Sequence, residues 1–131
     1  MKYPYGTKSQ QRLASCDPRL VRVFERAADF WDIAIIEGHR SSRRQSSLFM
    51  AGKTKVRRSK HNEDPSLAVD AAPHPIDWDD TERFYRFGWG VVGLGASMGI
   101  KLRWGGDWDG DGDTSDQSFN DLVHFEVVDG D

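Results

Sequence analysis

Apolar positions recur along this chain with two different periods. Leu20, Val21, Phe24, Ala27, Ala28 and Trp31 follow helical spacing, and Asp17-Pro18 ahead of them supplies an N-cap and a first-turn proline. One buried helix is therefore expected to open the fold. Ile33 to Glu37 is a short apolar run of strand length. Arg43 to Ala51 reads as a helix stopped by Gly52, and Leu67 to Ala72 as a second strand. From Thr81 to Met98 an aliphatic and aromatic stripe (Phe84, Phe87, Val91, Leu94, Met98) marks a core helix. Its four glycines, Gly88, Gly90, Gly93 and Gly95, are expected to allow close packing at some cost in helix propensity. Ile100 to Trp104 and Leu122 to Val128 complete a small sheet. In the last of these, period two sets Val123, Phe125 and Val127 on one face and His124 and Glu126 on the other. The pattern predicts one α+β domain over residues 1–131.

Composition narrows the class. The chain has 131 residues, 30% of them charged, and a net charge of −3; its mean hydropathy is −0.66. That length supports one core but not two. No apolar run approaches membrane-spanning length, and Met1 to Gly6 lacks the apolar stretch of a signal peptide, so a cytoplasmic, monomeric protein with no membrane partner is expected. The lone Cys16 excludes an internal disulfide and has no nucleophile's partner nearby in sequence. Charge is segregated. Between Gly38 and Asn62 there are eight Lys or Arg and no acidic residue, whereas after Arg103 there are nine acidic residues and no Lys or Arg. A basic stretch can bind nucleic acid, but this one carries Phe49 as its lone aromatic and suits the anionic polymers of a bacterial wall better. No nucleic-acid partner is expected.

Candidate chemistry lies in residues that sequence holds far apart. His61, Asp70 and His124 offer two imidazoles and a carboxylate, the set that leaves a zinc ion one open position for water in a hydrolase. His124 stands on the polar face of its strand. A carboxylate within the strand-like Leu67 to Ala72 run would be costly to bury unless a cation or donors met it. Asp64 is nearer to His61 than Asp70 is, but it precedes Pro65 in a turn-like stretch. A second cation site is offered by Asp107, Asp109, Asp111 and Asp113. Counted from Asp107, aspartates fall at positions 1, 3 and 5 and Gly112 at 6, as in an EF-hand loop, while position 12 is Ser118 and the usual glutamate is missing. Either calcium binds there or the segment is a solvated acidic loop.

Together, Ser59-Lys60-His61, Ala68-Val69-Asp70 and Asp121-Leu122-Val123-His124-Phe125-Glu126 resemble the LAS group of zinc peptidases. The branch in question holds the phage endolysin L-alanyl-D-glutamate peptidases and the D-Ala-D-Ala peptidases of vancomycin resistance. Glu37-Gly38-His39-Arg40-Ser41-Ser42 with Gln45 and Gly52-Lys53-Thr54 is similar to that family's Gly-Tyr-Arg-Ser segment and its following helix. Trp104-Gly105-Gly106-Asp107-Trp108 is similar to its late Trp-Gly-Gly element. The likeness runs from Glu37 to Val127, the catalytic segment lying at about 37–128. It departs at His39, where Tyr is usual, at Val123, where Pro is usual, and in a longer gap from His61 to Asp70.

The resemblance implies the hedgehog/D,D-peptidase-like fold, a small antiparallel sheet with flanking helices. It also implies zinc on His61, Asp70 and His124, and Asp121 as the base that activates water and returns the proton to the leaving amine. Arg40 would steady the carbonyl oxygen, the alternative being an exposed strand-end arginine. Ser59 and Gln45 would be substrate-binding or supporting residues, and Glu126 either orients a ligand or is solvated. The implied activity is hydrolysis of a peptidoglycan stem peptide by an endolysin, at L-Ala-D-Glu, for host cell lysis. Such an enzyme would wait in the cytoplasm of the phage-infected bacterium and act on the wall after release. A D-Ala-D-Ala carboxypeptidase is the alternative enzyme. A non-catalytic, zinc- or calcium-stabilised wall-binding module is the alternative from another class, in which a base at Asp121 would have no use.

Overall fold

A computed structural model describes residues 1–54, 56, 58–113 and 121–129. Helices α1 (Thr7–Ala14) and α2 (Pro18–Ala27) precede strand β1 (Ile33–Glu37). Helix α3 (Ser42–Met50), a single 3-10 turn (Lys60–Asn62) and strand β2 (Ala68–Pro73) follow, and then helix α4 (Thr81–Ser97) and strands β3 (Leu102–Gly105) and β4 (Asp121–Val127). The strands form one antiparallel sheet in the order β1-β2-β4-β3.

Local signals place most of these elements. Asp17 Oδ1 accepts the Arg19 N–H at the start of α2, Ser41 Oγ accepts that of Arg44 at α3, and Asp80 Oδ1 that of Arg83 at α4, each satisfying an amide that a helix start leaves unpaired. α1 lies outside the apolar pattern. Of its eight residues only Leu13 is buried, so an opening helix precedes the one read from the sequence.

Leu20, Val23, Phe24 and Ala27 of α2 and Phe84, Phe87 and Val91 of α4 are buried over one face of the sheet. Phe125 of β4 is the meeting point, with ring centroids 5.6 Å from Phe24 and 5.9 Å from Phe87, both edge to face. A Cβ on Gly88 would fall inside the Trp104 ring, so that glycine does permit close packing; Gly93 meets nothing, and packing does not account for it.

The expected alternation in β4 holds only in part. Phe125 and Val127 are in the core, but Val123 is half-buried and outside it, and Leu122 packs there instead. The reason is a slip in the β3–β4 register, where Trp104 pairs with Phe125 but Gly105 with Asp121. Trp104 Nε1 donates to the Leu122 carbonyl at 2.9 Å across this irregularity. Any Cβ on Gly105 would overlap the Asp121 carbonyl, so the slip needs glycine there.

Candidate active site

On the sheet face away from α2 and α4, β2 and β4 present Asp70 opposite His124. His61 reaches the same point from the 3-10 turn. That turn is capped by Ser59, whose Oγ accepts the His61 N–H at 3.1 Å while its own N–H donates to Asn62 Oδ1 at 2.7 Å. Arg40 N–H donates to the His61 carbonyl at 2.7 Å and Asn62 Nδ2 to the Arg40 carbonyl at 2.8 Å, so the turn is tied to the segment that follows β1.

Asp70 Oδ1 lies 3.1 Å from His61 Nε2 and 3.3 Å from His124 Nδ1. The outer nitrogens are anchored: His61 Nδ1 donates to the Gly38 carbonyl at 2.7 Å, and His124 Nε2 to Glu126 Oε1 at 2.8 Å. Each anchor occupies one ring nitrogen and leaves the other directed at Asp70, where a zinc ion would take its lone pair. The three donor atoms lie within 4.8 Å of one another, a group able to hold a metal ion. A tetrahedral centre with bonds of about 2.0 Å spaces its donors about 3.3 Å apart, so the donor set fits zinc in spacing and in kind. Asp64 is exposed and stands outside the group, and His39 and His74 are exposed as well.

Electrostatics follow from this packing. Burial would raise the Asp70 pKa, but hydrogen bonds from His124 and His61 hold it well below the carboxylate range. Burial would lower that of His124, and bonds to Asp70 and Glu126 outweigh it, pushing the metal-free imidazole up to about 9. Burial likewise opposes, and the bond to His124 overcomes, so that Glu126 falls to about 2, helped by Lys60. Lys60 Nζ and Arg103 Nη1 reach Glu126 Oε2 at 3.1 and 3.4 Å. Of the two readings of Glu126, the geometry favours the residue that orients His124.

Asp121 would face the core if β4 alternated without interruption. The register slip brings it round to the cavity shared by Asp70 and His124. There burial first, and then the Asp70 charge, raise its pKa against the opposing pull of His124 and His61.

Arg40 is neither exposed nor free-standing. Its Nε and Nη2 grip Glu37 at 2.9 and 2.6 Å, Nη1 donates to Gln45 Oε1 at 2.8 Å, and Nη2 stands 3.9 Å from Asp70 Oδ2. Gln45 is fully buried and passes its own N–H to the Val56 carbonyl at 2.8 Å. It braces Arg40 from behind and does not line the cavity. Glu37, Lys60 and Trp108, which lie in the quoted motifs without a role of their own there, also belong to the site; the Trp108 ring lies 5.2 Å from that of His124. Periodicity does not signal these contacts: Lys60 with Glu126 and Trp108 with His124 join separate elements, and Glu37 meets Arg40 only because the chain turns after β1.

Asp107, Asp109 and Asp111 form a second group whose carboxylates lie within 4.8 Å. Asp113 does not join it; its N–H donates to Asp111 Oδ1 at 2.8 Å. Gly112, the sixth position, has φ 81° and donates to Asp107 Oδ2 at 3.0 Å. Asp107 Oδ1 is buried without a hydrogen-bond partner, alone in this among the described side chains. Asp116 and Ser118 lie outside the described residues.

The family model for phage L-alanyl-D-glutamate peptidase matches residues 1–128. The chain belongs to this family. A protein of Escherichia phage T5 named L-alanyl-D-glutamate peptidase is 32% identical over 139 residues, spanning 98% of this chain and 100% of its own length. The crystal structure of the Serratia marcescens L-Ala D-Glu endopeptidase ChiX superposes with a TM-score of 0.77 at 26% identity, covering 97% of this chain and 91% of that one. The resemblance to the LAS-group peptidases and the α+β fold expected from it are both borne out. Among the described residues no helix is long and apolar enough to cross a membrane.

Proposed function

We propose that this peptidase holds zinc on His61, Asp70 and His124 and hydrolyses the L-Ala-D-Glu bond of the peptidoglycan stem as an endolysin. The observation that carries this reading is the convergence of two anchored imidazoles on one buried carboxylate, with a second carboxylate, Asp121, in the same cavity. A bound zinc ion supplies Lewis acidity, lowering the pKa of water and polarising a carbonyl oxygen. Asp121 takes the proton from the attacking water and returns it to the departing D-Glu nitrogen, a role helped by a pKa above the ordinary carboxylate value. Arg40, held by Glu37 and Gln45 beside Asp70, stabilises the charge that develops on the carbonyl oxygen. Ser59 and Glu126 act indirectly, by holding His61 and His124.

The base separates this reading from a wall-binding module, since a closed structural site has no use for Asp121. Digesting purified peptidoglycan under zinc-replete conditions and identifying new termini by mass spectrometry tests it. New C-terminal L-Ala paired with N-terminal D-Glu is the expected result. Release of single D-Ala would convert the assignment to a D,D-carboxypeptidase, and no new termini would sink both enzymes.

The acidic loop is the place for a second ion, calcium, on Asp107, Asp109 and Asp111. A buried carboxylate oxygen without a donor, two neighbouring carboxylates and glycine at the sixth position support it. Trp108 stands between two of these aspartates and reaches His124, so an ion there would brace the catalytic cavity.

A further inference from the structure

The cavity that holds the metal group, about 830 Å³ in volume, is built from the two oppositely charged stretches of the chain. Strand order explains how they meet. α3 and the segment after it leave from the β1 edge of the sheet, the acidic loop leaves from the β3 edge, and Asp70 and His124 lie on the central strands β2 and β4. Arg44, Lys53 and Arg58 line the cavity from the basic side; Trp108 and Asp109 line it from the acidic side. These three side chains share one cavity with the reacting centre, which a basic face turned wholly to solvent would not do.

Their ion pairing differs. Arg44 Nε donates to Glu37 at 3.1 Å, and Glu37 is already gripped by Arg40. Arg58 pairs with the exposed Glu63 at 2.9 Å. Lys53 has no ion-pair partner among the described residues.

The substrate of the proposed reaction has matching asymmetry. A D-glutamate residue has two side-by-side functions for one onward chain, so one of its carboxyl groups stays free, whereas L-Ala contributes no charge. We infer that Arg44, Lys53 and Arg58 form a carboxylate-binding subsite for the D-Glu side of the scissile bond. The stem peptide then enters in one direction only, with its anionic leaving portion on the basic side and L-Ala toward Trp108 and Asp109, where a carboxylate would be repelled. This inference rests on the reading of the site as an L-Ala-D-Glu hydrolase.

The test compares two synthetic stem peptides, identical except that the free glutamate carboxyl of one is amidated, with zinc-loaded enzyme at low ionic strength. Amidation is expected to raise KM about fivefold, as exposed ion pairs do, and to leave kcat nearly unchanged. The Lys53→Gln/Arg58→Gln double variant, which keeps Arg44, should with its zinc content verified show a smaller rise for the free acid and no change for the amide, so that the preference falls to about twofold. About 0.5 M salt should erase the preference of the unsubstituted enzyme. Equal KM for both peptides in the unsubstituted enzyme, or a preference undiminished in the double variant, overturns the subsite while the hydrolytic reading stands. Failure to cut either peptide at L-Ala-D-Glu overturns the hydrolytic reading and the subsite with it.

Discussion

The two candidate cation groups differ in how the protein treats their charge. His61, Asp70 and His124 are buried, sit on paired strands and a capped turn, and each has a second partner that fixes its orientation. Asp70 is neutralised by its neighbours before any ion arrives. Asp107, Asp109 and Asp111 share a mostly exposed loop, where they receive backbone N–H groups from Gly112, Asp111 and Asp113. Burial raises the Asp107 pKa against the Gly112 N–H, and the neighbouring Asp109 and Asp111 carboxylates raise it further through hydrogen bonding and the Asp111 charge. A preorganised group spends little reorganisation on binding and is built for chemistry. A self-repelling loop gains most from an ion in its own order.

The largest effects should come from the buried group. Asp70→Ala is expected to lose zinc and activity together, by roughly 10³-fold or more, while Asp64→Ala keeps both. Metal analysis with a turnover assay checks this, and the reverse outcome would give the ligand role to the loop carboxylate. Asp121→Asn should retain zinc and lose about 10²- to 10⁴-fold in kcat; near-normal turnover would remove Asp121 from the mechanism.

Next comes the support around the ligands. Glu126→Gln should weaken zinc binding by about 10- to 100-fold without unfolding the protein, measured by competition with a chromophoric chelator. The sign of the pH dependence follows from His124. Its metal-free pKa is raised to about 9, so the charged imidazole stabilises the metal-free fold fully below its ordinary value near 6.5, and that contribution disappears as pH rises through about 9. Zinc needs the neutral ring. Its affinity should therefore rise with pH over this window, with a proton released on binding that calorimetry in buffers of different ionisation enthalpy would count; buffer-independent heats would contradict it.

Smaller changes are expected where the backbone, and then the acidic loop, are altered. Gly105→Ala should cost about 1–3 kcal/mol of stability and lower kcat with zinc retained, because the added Cβ pushes on the Asp121 carbonyl. Thermal melting and turnover on the same sample would separate the two. Millimolar Ca²⁺ should raise the melting temperature, through a stabilisation of about 2.7 kcal/mol at a hundredfold excess over Kd, with a modest gain in turnover. Asp109→Ala with Asp111→Ala should remove that response. No heat of Ca²⁺ binding in the unsubstituted protein would leave the loop a solvated acidic turn and leave the zinc chemistry untouched.

Amino-acid order by itself determined the elements whose stability is local or whose burial is periodic. Capped helices α2, α3 and α4, the apolar β2 and the alternating end of β4 are of this kind, and so is the supply of two imidazoles and a carboxylate as donors. It left α1 unseen, because a helix with one buried residue has no stripe to detect. Asp70 was favoured over Asp64 by its strand-like setting and by the resemblance, and the tertiary structure shows how it comes to stand with the imidazoles, through its pairing with His124. That structure alone turned Asp121 toward the cavity, through a register slip that alternation argues against, and it engaged Arg40 with Glu37 and Gln45, and Lys60 with Glu126. The division has a physical cause. Periodicity and caps act over a few residues of one segment, whereas strand register and side-chain partnership depend on how separate segments meet, and the chain does not encode that at any one position.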